Sequence, residues 1–437
     1  MDTLIIWGLA ALLILLFVGP YVRRMRRQEA RNRQKRENTE AAGLNEPPSL
    51  HPHIDPEICL GSGACVKACP EGDILGLIEG RAALIHASRC VGHGECAAAC
   101  PVGAITLVFG TAKRGVDIPH VKGDFETNIP GLYIAGELGG MGLIRNAIRQ
   151  GRQAVEGIAA QLPTLPPASA DYDLLIIGAG PAGIAASLTA LQQKLRFRTI
   201  EQESPGGAAR HYPRQKIVMT EPMELPLYGK FQHRQIAKEE LIDLWDKVMA
   251  RTGLQIHTGE RALDVQCQDG LFKIATTQGE YSARRVVLAI GRRGTPRKLG
   301  VPGEAHAKVA YQLLEPEHFS HSHILVVGGG NSALEAAWAL ACQGRDNQVT
   351  LVHRGQAFDR ARPENRERLQ VLVEAGKLAI RFETVVREIR EKEVLLNTAG
   401  QEQSLPNDQV FIFAGGELPT DFLQKLGVSI ERKFGEA

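Results

Sequence analysis

Two cysteine runs of identical spacing, Cys59-x5-Cys65-x3-Cys69-Pro70 and Cys90-x5-Cys96-x3-Cys100-Pro101, constrain this chain more than any other feature. Six of its eight cysteines fall within them. A short apolar segment follows each run, Asp73–Ile78 after the first and Gly103–Val108 after the second. Residues 51–108 therefore read as a duplication of Cys loop, helix and strand. A unit this small has few apolar side chains to bury, so bound metal must serve as its core. Such spacing in a reducing compartment reads as metal binding and not as a disulfide scaffold.

The bacterial iron–sulfur run is C-x2-C-x2-C-x3-C-P, and its fourth cysteine serves the other cluster. Here the second cysteine of each run is replaced, by Ser62 in the first and His93 in the second. Crossed ligation groups Cys59, Cys65 and Cys100 with Ser62, and Cys90, Cys96 and Cys69 with His93. Three outcomes stay open at this point. Ser62 and His93 ligate, giving two four-iron (4Fe-4S) clusters; the odd corner is vacant, giving three-iron (3Fe-4S) clusters; or the metal is lost. An imidazole in place of a thiolate raises the reduction potential.

The N-terminus has a different composition. Thr3 to Val22 is almost wholly apolar, with Trp7 and Tyr21 near its two ends, and Arg23, Arg24, Arg26, Arg27, Arg31, Arg33, Lys35 and Arg36 follow. About 20 apolar residues cross a bilayer as a helix, and positive residues flank the cytoplasmic side. A secretory signal carries its positive charge ahead of the apolar stretch, the reverse of this order. The expectation is a single-pass anchor over residues 1–22 in the inner (cytoplasmic) membrane, with everything after it cytoplasmic. Residues 23–50 read as a frayed helix or basic linker that touches anionic lipid. The formal net charge of +2 gives no bulk argument for nucleic acid.

After the Pro-rich linker 162–170, strands alternate with helices, the pattern of a doubly wound parallel sheet. Asp173–Ile177 is a buried-strand run, and Gly178-Ala-Gly180-Pro-Ala-Gly183 follows it ahead of a helix. That order places a G-x-G-x-x-G turn where a pyrophosphate meets a helix N-terminus. Glu201 ends the next strand, where an acid accepts from a ribose hydroxyl. A second copy runs from His323–Val327 through Gly328-Gly-Gly330-Asn-Ser-Ala333. Its next strand ends in Arg354, with Arg360 and Arg362 close behind, and basic residues there meet a ribose 2′-phosphate. The first site suits FAD and the second NADPH.

Together with Val287–Gly291 and Pro302-Gly303, these residues resemble the thioredoxin-reductase-like flavoproteins. Gly206-Gly207, Tyr212-Pro213 and Phe411 to Phe422 look closest to the bacillithiol-disulfide-reductase branch. The resemblance covers residues 172–437. It implies an FAD domain over 171–298, a nested NAD(P) domain over 299–413, and a return to the FAD domain over 414–437. The family's final segment, a strand, an A-G-D turn and a helix closing over the flavin, is absent from the end. It resembles residues 109–161 instead, where Thr127 to Gly136 and Glu137 precede the helical stretch Leu143–Ala160. The resemblance thus implies a circular permutation, with Gly136 and Glu137 at the flavin.

One departure bears on chemistry. The family's disulfide reductases use a C-x-x-C beside the flavin, and no cysteine lies between Pro302 and Gly328. Cys267 and Cys342 are isolated, with buried core positions as the default. The fold expected is α/β: two doubly wound, Rossmann-like dinucleotide-binding domains, a small α+β ferredoxin-like domain and one N-terminal transmembrane helix. The function expected is a membrane-anchored NADPH-dependent FAD/iron–sulfur oxidoreductase. It exchanges electrons with a partner protein or quinone, needs no catalytic side chain, and has room to act as a homodimer. The alternatives are a thiol or disulfide reductase and a membrane-tethered redox sensor.

Overall fold

The computed structural model describes residues 2–41, 45–47, 50–112, 115–166, 169–212, 217–220, 222–233, 235–292, 296–343, 346–358, 361–416 and 419–436. The chain divides into two compact units, one of Met1–Val116 with Lys433–Ala437 and one of Asp117–Arg432.

In the first unit, α1 (Asp2–Ala41) is one 40-residue helix with Pro20 inside it. The basic stretch expected to fray is therefore helical as far as Ala41. The reason is a second anchoring face: Asn32 Nδ2 donates to Leu77 O, Arg33 pairs with Glu79, Lys35 with Asp73, and the Thr39 hydroxyl shares a 2.9 Å hydrogen bond with His86 Nδ1. Glu29, Asn32, Lys35 and Thr39 recur at helical spacing and are the covered positions of this half, whereas Leu16–Val18 and Tyr21–Gln28 are exposed. Among the described residues no helix is long and apolar enough to cross a membrane. Most side chains of the Thr3–Val22 stretch lie outside the described residues.

The rest of this unit shows the duplication. β1 (His51–Ile54) pairs antiparallel with β4 (Ile105–Val108), and β2 (Leu75–Ile78) with β3 (Arg81–Leu84). The short helices α2 (Ala64–Ala68) and α3 (Glu95–Ala98) follow the two Cys loops. The buried cluster here contains Cys65, Cys90 and Cys96 beside Ile74, Leu75 and Ile105. The unit reaches beyond the expected boundary at 108, because Phe109 N–H donates to Glu436 O and Gly435 N–H to Phe109 O.

The second unit begins within β5 (Val116–Pro119), which is followed by β6 (Leu132–Ile134), α4 (Ile144–Gln161), β7 (Tyr172–Ile177), α5 (Pro181–Gln192) and β8 (Phe197–Glu201). β7 lies between β8 and the long strand Glu280–Leu288 in a seven-stranded sheet. The first half of the long strand pairs antiparallel with Leu271–Thr276, and its second half pairs parallel with β6, Val286 to Leu288 against Leu132 to Ile134. A segment preceding the Pro-rich linker is thereby a strand of the sheet that begins after it. Leu132, Tyr133, Ile134 and Ala135 are each at most 1% exposed. Leu423 and Val428 of the C-terminal return join the same apolar core.

A five-stranded parallel sheet, in the order Val309–Ala310, Gln409–Ile412, His323–Val327, Gln348–Val352 and Leu378–Arg381, forms the second dinucleotide fold. Its strands read as continuous apolar runs because both faces are covered.

Candidate functional site

The crossed grouping of cysteines is what the structure shows. One cavity is lined by Cys59, Ser62, Cys65 and Cys100, with Leu60 and Val102 at its edge. Another is lined by Cys69, Cys90, His93 and Cys96, walled by Ile74 and Leu75. Gly61 and Gly63, and Gly92 and Gly94, have positive φ in the two loops, turning backbone around each cavity.

The donors fit iron–sulfur clusters. Ala82 N–H donates to Cys59 Sγ at 3.4 Å and Ala104 N–H to Cys100 Sγ at 3.3 Å; backbone N–H groups, Val102 foremost, hold the Cys100 thiol below its usual value. Burial, reinforced by neighbouring Cys90, pushes the Cys96 thiol up to about 11, so that thiol holds a proton that bound iron would displace. Among the described residues no group of three or more His, Cys, Asp or Glu converges on a single metal ion. The thiols line two cavities that clusters would fill. Ser62 is exposed, and its hydroxyl oxygen accepts from Ala64 N–H at 3.4 Å. The His93 side chain is 6% exposed, with Nε2 3.8 Å from Glu71 Oε1.

The first dinucleotide turn is built as its glycines require. Gly178 has φ 101°, and a Cβ on Gly183 would lie 1.9 Å from Gly178 O. Gly180 caps α5, with Pro181 at the first helical position, leaving its N-terminal N–H groups for a ligand. Glu201 Oε2 accepts from Ala179 N–H at 2.7 Å, so its carboxylate lies against the turn. Gly207 flanks it as well, since a Cβ there would lie 2.9 Å from Gly180 Cα.

Gly136 reaches the same place, and Glu137 follows it as an exposed residue. A Cβ on Gly136 would lie 3.0 Å from Ala182 Cβ, and one on Gly151 would lie 2.1 Å from Ala182 O. α4 therefore packs closely on the start of α5. Buried Gln150 fixes the loop by accepting from Gly136 N–H at 2.7 Å. Gln150 and Gly151 were not singled out from sequence. The available signal was a lone glycine within an otherwise regular helix. Arg292, whose burial pushes its guanidinium below the usual value despite the neighbouring carboxylates Glu137 and Asp117, was also missed.

In the second dinucleotide fold a Cβ on Gly329 would lie 2.2 Å from the His353 ring, while Gly330 faces open space. Arg354 is exposed just past the strand Gln348–Val352. Asn331 Oδ1 accepts from Arg362 N–H at 2.7 Å, tying the next basic segment to the turn. Arg360 lies outside the described residues. Cys267 and Cys342 are both exposed, contrary to the buried default. Cys267 lies on the strand Ala262–Gln268, which forms the edge of its sheet, and Cys342 is the last residue of its helix.

Residues 175–436 match the family described as pyridine nucleotide-disulphide oxidoreductase, and residues 51–101 match the 4Fe-4S dicluster domain. A ferredoxin–NADP reductase of Ignicoccus hospitalis is 31% identical over 269 residues, 60% of this chain and 83% of that protein. A bacilliredoxin reductase of Bacillus subtilis is 26% identical over 60% of this chain and 82% of its own length. The bacillithiol disulfide reductase structure from Bacillus cereus, 27% identical, superposes with a TM-score of 0.54 over 60% of this chain and 82% of that one.

Proposed function

The chain belongs to the pyridine nucleotide-disulphide oxidoreductase family, and from that premise we propose that it is a membrane-anchored NADPH-dependent oxidoreductase whose FAD and two iron–sulfur clusters exchange electrons with a protein or quinone partner. It is an NAD(P)H-dependent flavoprotein oxidoreductase with a dicluster domain. The observation that carries the finer reading is the combination of two dinucleotide turns with two three-thiol frames in one chain. When bound, the flavin and clusters supply hydride and one-electron chemistry; the chain orients them and tunes their potentials. Net turnover oxidises NADPH to NADP+, releasing one proton while two electrons leave singly.

The residues divide as follows. The N-terminus of α5 and Glu201 hold the FAD pyrophosphate and ribose. Gly136, Glu137 and the start of α4 close over the flavin. Gly328, Gly330 and Ala333 cradle NADPH, with Arg354 and Arg360 on its 2′-phosphate. The placement of β6 and α4 ahead of β7 supports a circular permutation of the flavin domain.

Relatives named ferredoxin–NADP reductase support electron flow between flavin and a ferredoxin-type unit, here within one polypeptide. The anchor rests on the Thr3–Val22 composition and the arginines after it. From Val22 to Asn32, where α1 meets the iron–sulfur unit, the helix rises about 15 Å, which would hold that unit near the lipid surface. A thiol-reductase reading draws on the bacilliredoxin and thioredoxin reductase relatives. Cys267 and Cys342 lie on different sheets' elements and supply no C-x-x-C.

The test is acceptor choice. Purified holoprotein should oxidise NADPH rapidly with ferricyanide and negligibly with low-molecular-weight disulfides. Equal or faster turnover with a disulfide would overturn this reading in favour of a thiol reductase.

A further inference from the structure

The two halves of the duplicated unit have diverged around their cysteines. Aligned on the runs, Ile58 corresponds to Arg89, Leu60 to Val91, Ser62 to His93 and Val102 to Glu71. The lining of the Cys59–Cys65–Cys100 cavity is uncharged, whereas that of the other includes His93 and Glu95.

Exposure follows the same division. Ile58, Leu60 and Val102 are 46%, 75% and 38% exposed, and Ser62 is exposed beside them. The thiols differ little, since Cys65 is as buried as Cys90 and Cys96, while Cys59, Cys69 and Cys100 are half-buried. The difference lies at the odd corner and the wall, where the His93 side chain is 6% exposed and Ile74 and Leu75 are 2% and 3% exposed. A single exposed leucine is ordinary. Leu60 and Val102, however, border the same cavity from different loops, and a contiguous apolar rim marks a contact surface.

Resting on the functional reading above, we infer that the Cys59–Cys65–Cys100 frame is the port at which electrons pass to or from an outside protein carrier. The Cys69–Cys90–Cys96 frame relays electrons within the chain. The port suits a carrier with an uncharged contact face, because Leu60 and Val102 allow approach without stripping water from a charge. Electron transfer falls steeply with distance, so the cluster at the exposed frame is the one an outside carrier reaches. The step is a single-electron exchange: the carrier gains the electron the port cluster loses, and no bond is made or broken in the chain.

Relaxation of the cluster electron paramagnetic resonance signals by a soluble dysprosium–EDTA complex tests this on full-length protein. Ser62→Cys and His93→Cys identify the signals, because each alters one cluster. The signal changed by Ser62→Cys should be relaxed several-fold more than the one changed by His93→Cys. Equal relaxation of two assembled clusters, or the reverse order, would overturn the port assignment alone. Absence of iron after anaerobic reconstitution would overturn the functional reading with it. In a second arm, Leu60→Glu should slow ferricyanide oxidation of the reduced protein several-fold at low salt, with recovery at high salt. Ile58→Glu should act alike, and Val91→Glu, at the equivalent position of the relay, should not. Equal effects at both frames would contradict the inference.

Discussion

A chain beginning at Ala170 retains both glycine turns but loses β6 and α4. The structure makes this a question of folding before it is one of cofactor binding. Leu132, Tyr133, Ile134, Ile148, Val155 and Ile158 are each at most 2% exposed, and all six leave. At roughly 1.5–3 kcal/mol per buried side chain, the loss is on the order of 9–18 kcal/mol. A whole domain is stable by only about 5–15 kcal/mol. The long strand Glu280–Leu288 would also lose its pairing along Val286–Leu288, exposing a new edge. The fragment should be aggregated or lack fixed tertiary packing, and added FAD should not rescue it. Co-expression of residues 109–169 should restore solubility and flavin. Near-ultraviolet circular dichroism and thermal denaturation with flavin quantitation decide it. A cooperative transition in the fragment alone, with stoichiometric FAD, would refute the assignment of β6 and α4 to the flavin fold.

Three further outcomes follow from the geometry. Arg354→Glu should lower kcat/KM for NADPH about tenfold or more relative to NADH, from a charge-assisted phosphate contact of ~1.5–3 kcal/mol; equal losses in steady-state kinetics would remove Arg354 from the phosphate. Gly183→Ala should lose flavin and Tm, because its Cβ meets Gly178 O, while Gly330→Ala, facing open space, should retain both; matching flavin content and melting curves for the two variants would count against the turn assignments. Glu260, 1% exposed, accepts from Thr276 at 2.8 Å and pairs with Arg198 at 2.9 Å. Burial pushes its carboxyl up, but those hydrogen bonds outweigh burial and hold it below its ordinary value of 4.5. Its contribution is present above pH 4.5 and lost as the pH falls through the lower folded value. Glu260→Gln should cost about 3 kcal/mol near neutrality and flatten the acid limb of a Tm-against-pH curve; an unchanged acid limb would contradict this.

Much of the site was legible because its chemistry fixes local spacing. The Cys-x5-Cys-x3-Cys-Pro runs determine which thiols share a loop, and crossed ligation then pairs Cys100 with the first loop and Cys69 with the second, as the two cavities do. The glycine turns were legible for a similar reason: each follows an apolar strand and opens a helix. Long-range packing was not. Gln150 and Gly151 matter through Gly136 and Ala182, contacts that spacing cannot reveal. The helical run past Arg23 looked like a linker because its stabilising face is polar, Glu29, Asn32, Lys35 and Thr39, and its partners lie some 45 residues further along the chain. Cys267 and Cys342 were misplaced because a thiol's apolar character says nothing of sheet edges or helix ends.

An anaerobic NADPH titration of full-length protein, with iron, sulfide and flavin counted beforehand, tests the central claim most directly. The account predicts one FAD and two iron–sulfur clusters per chain. NADPH should bleach the flavin, and cluster signals should then appear in the electron paramagnetic resonance spectrum. Flavin reduction with iron present but both clusters left oxidised at every NADPH ratio would contradict the claim that this chain carries electrons from NADPH through flavin to its own clusters.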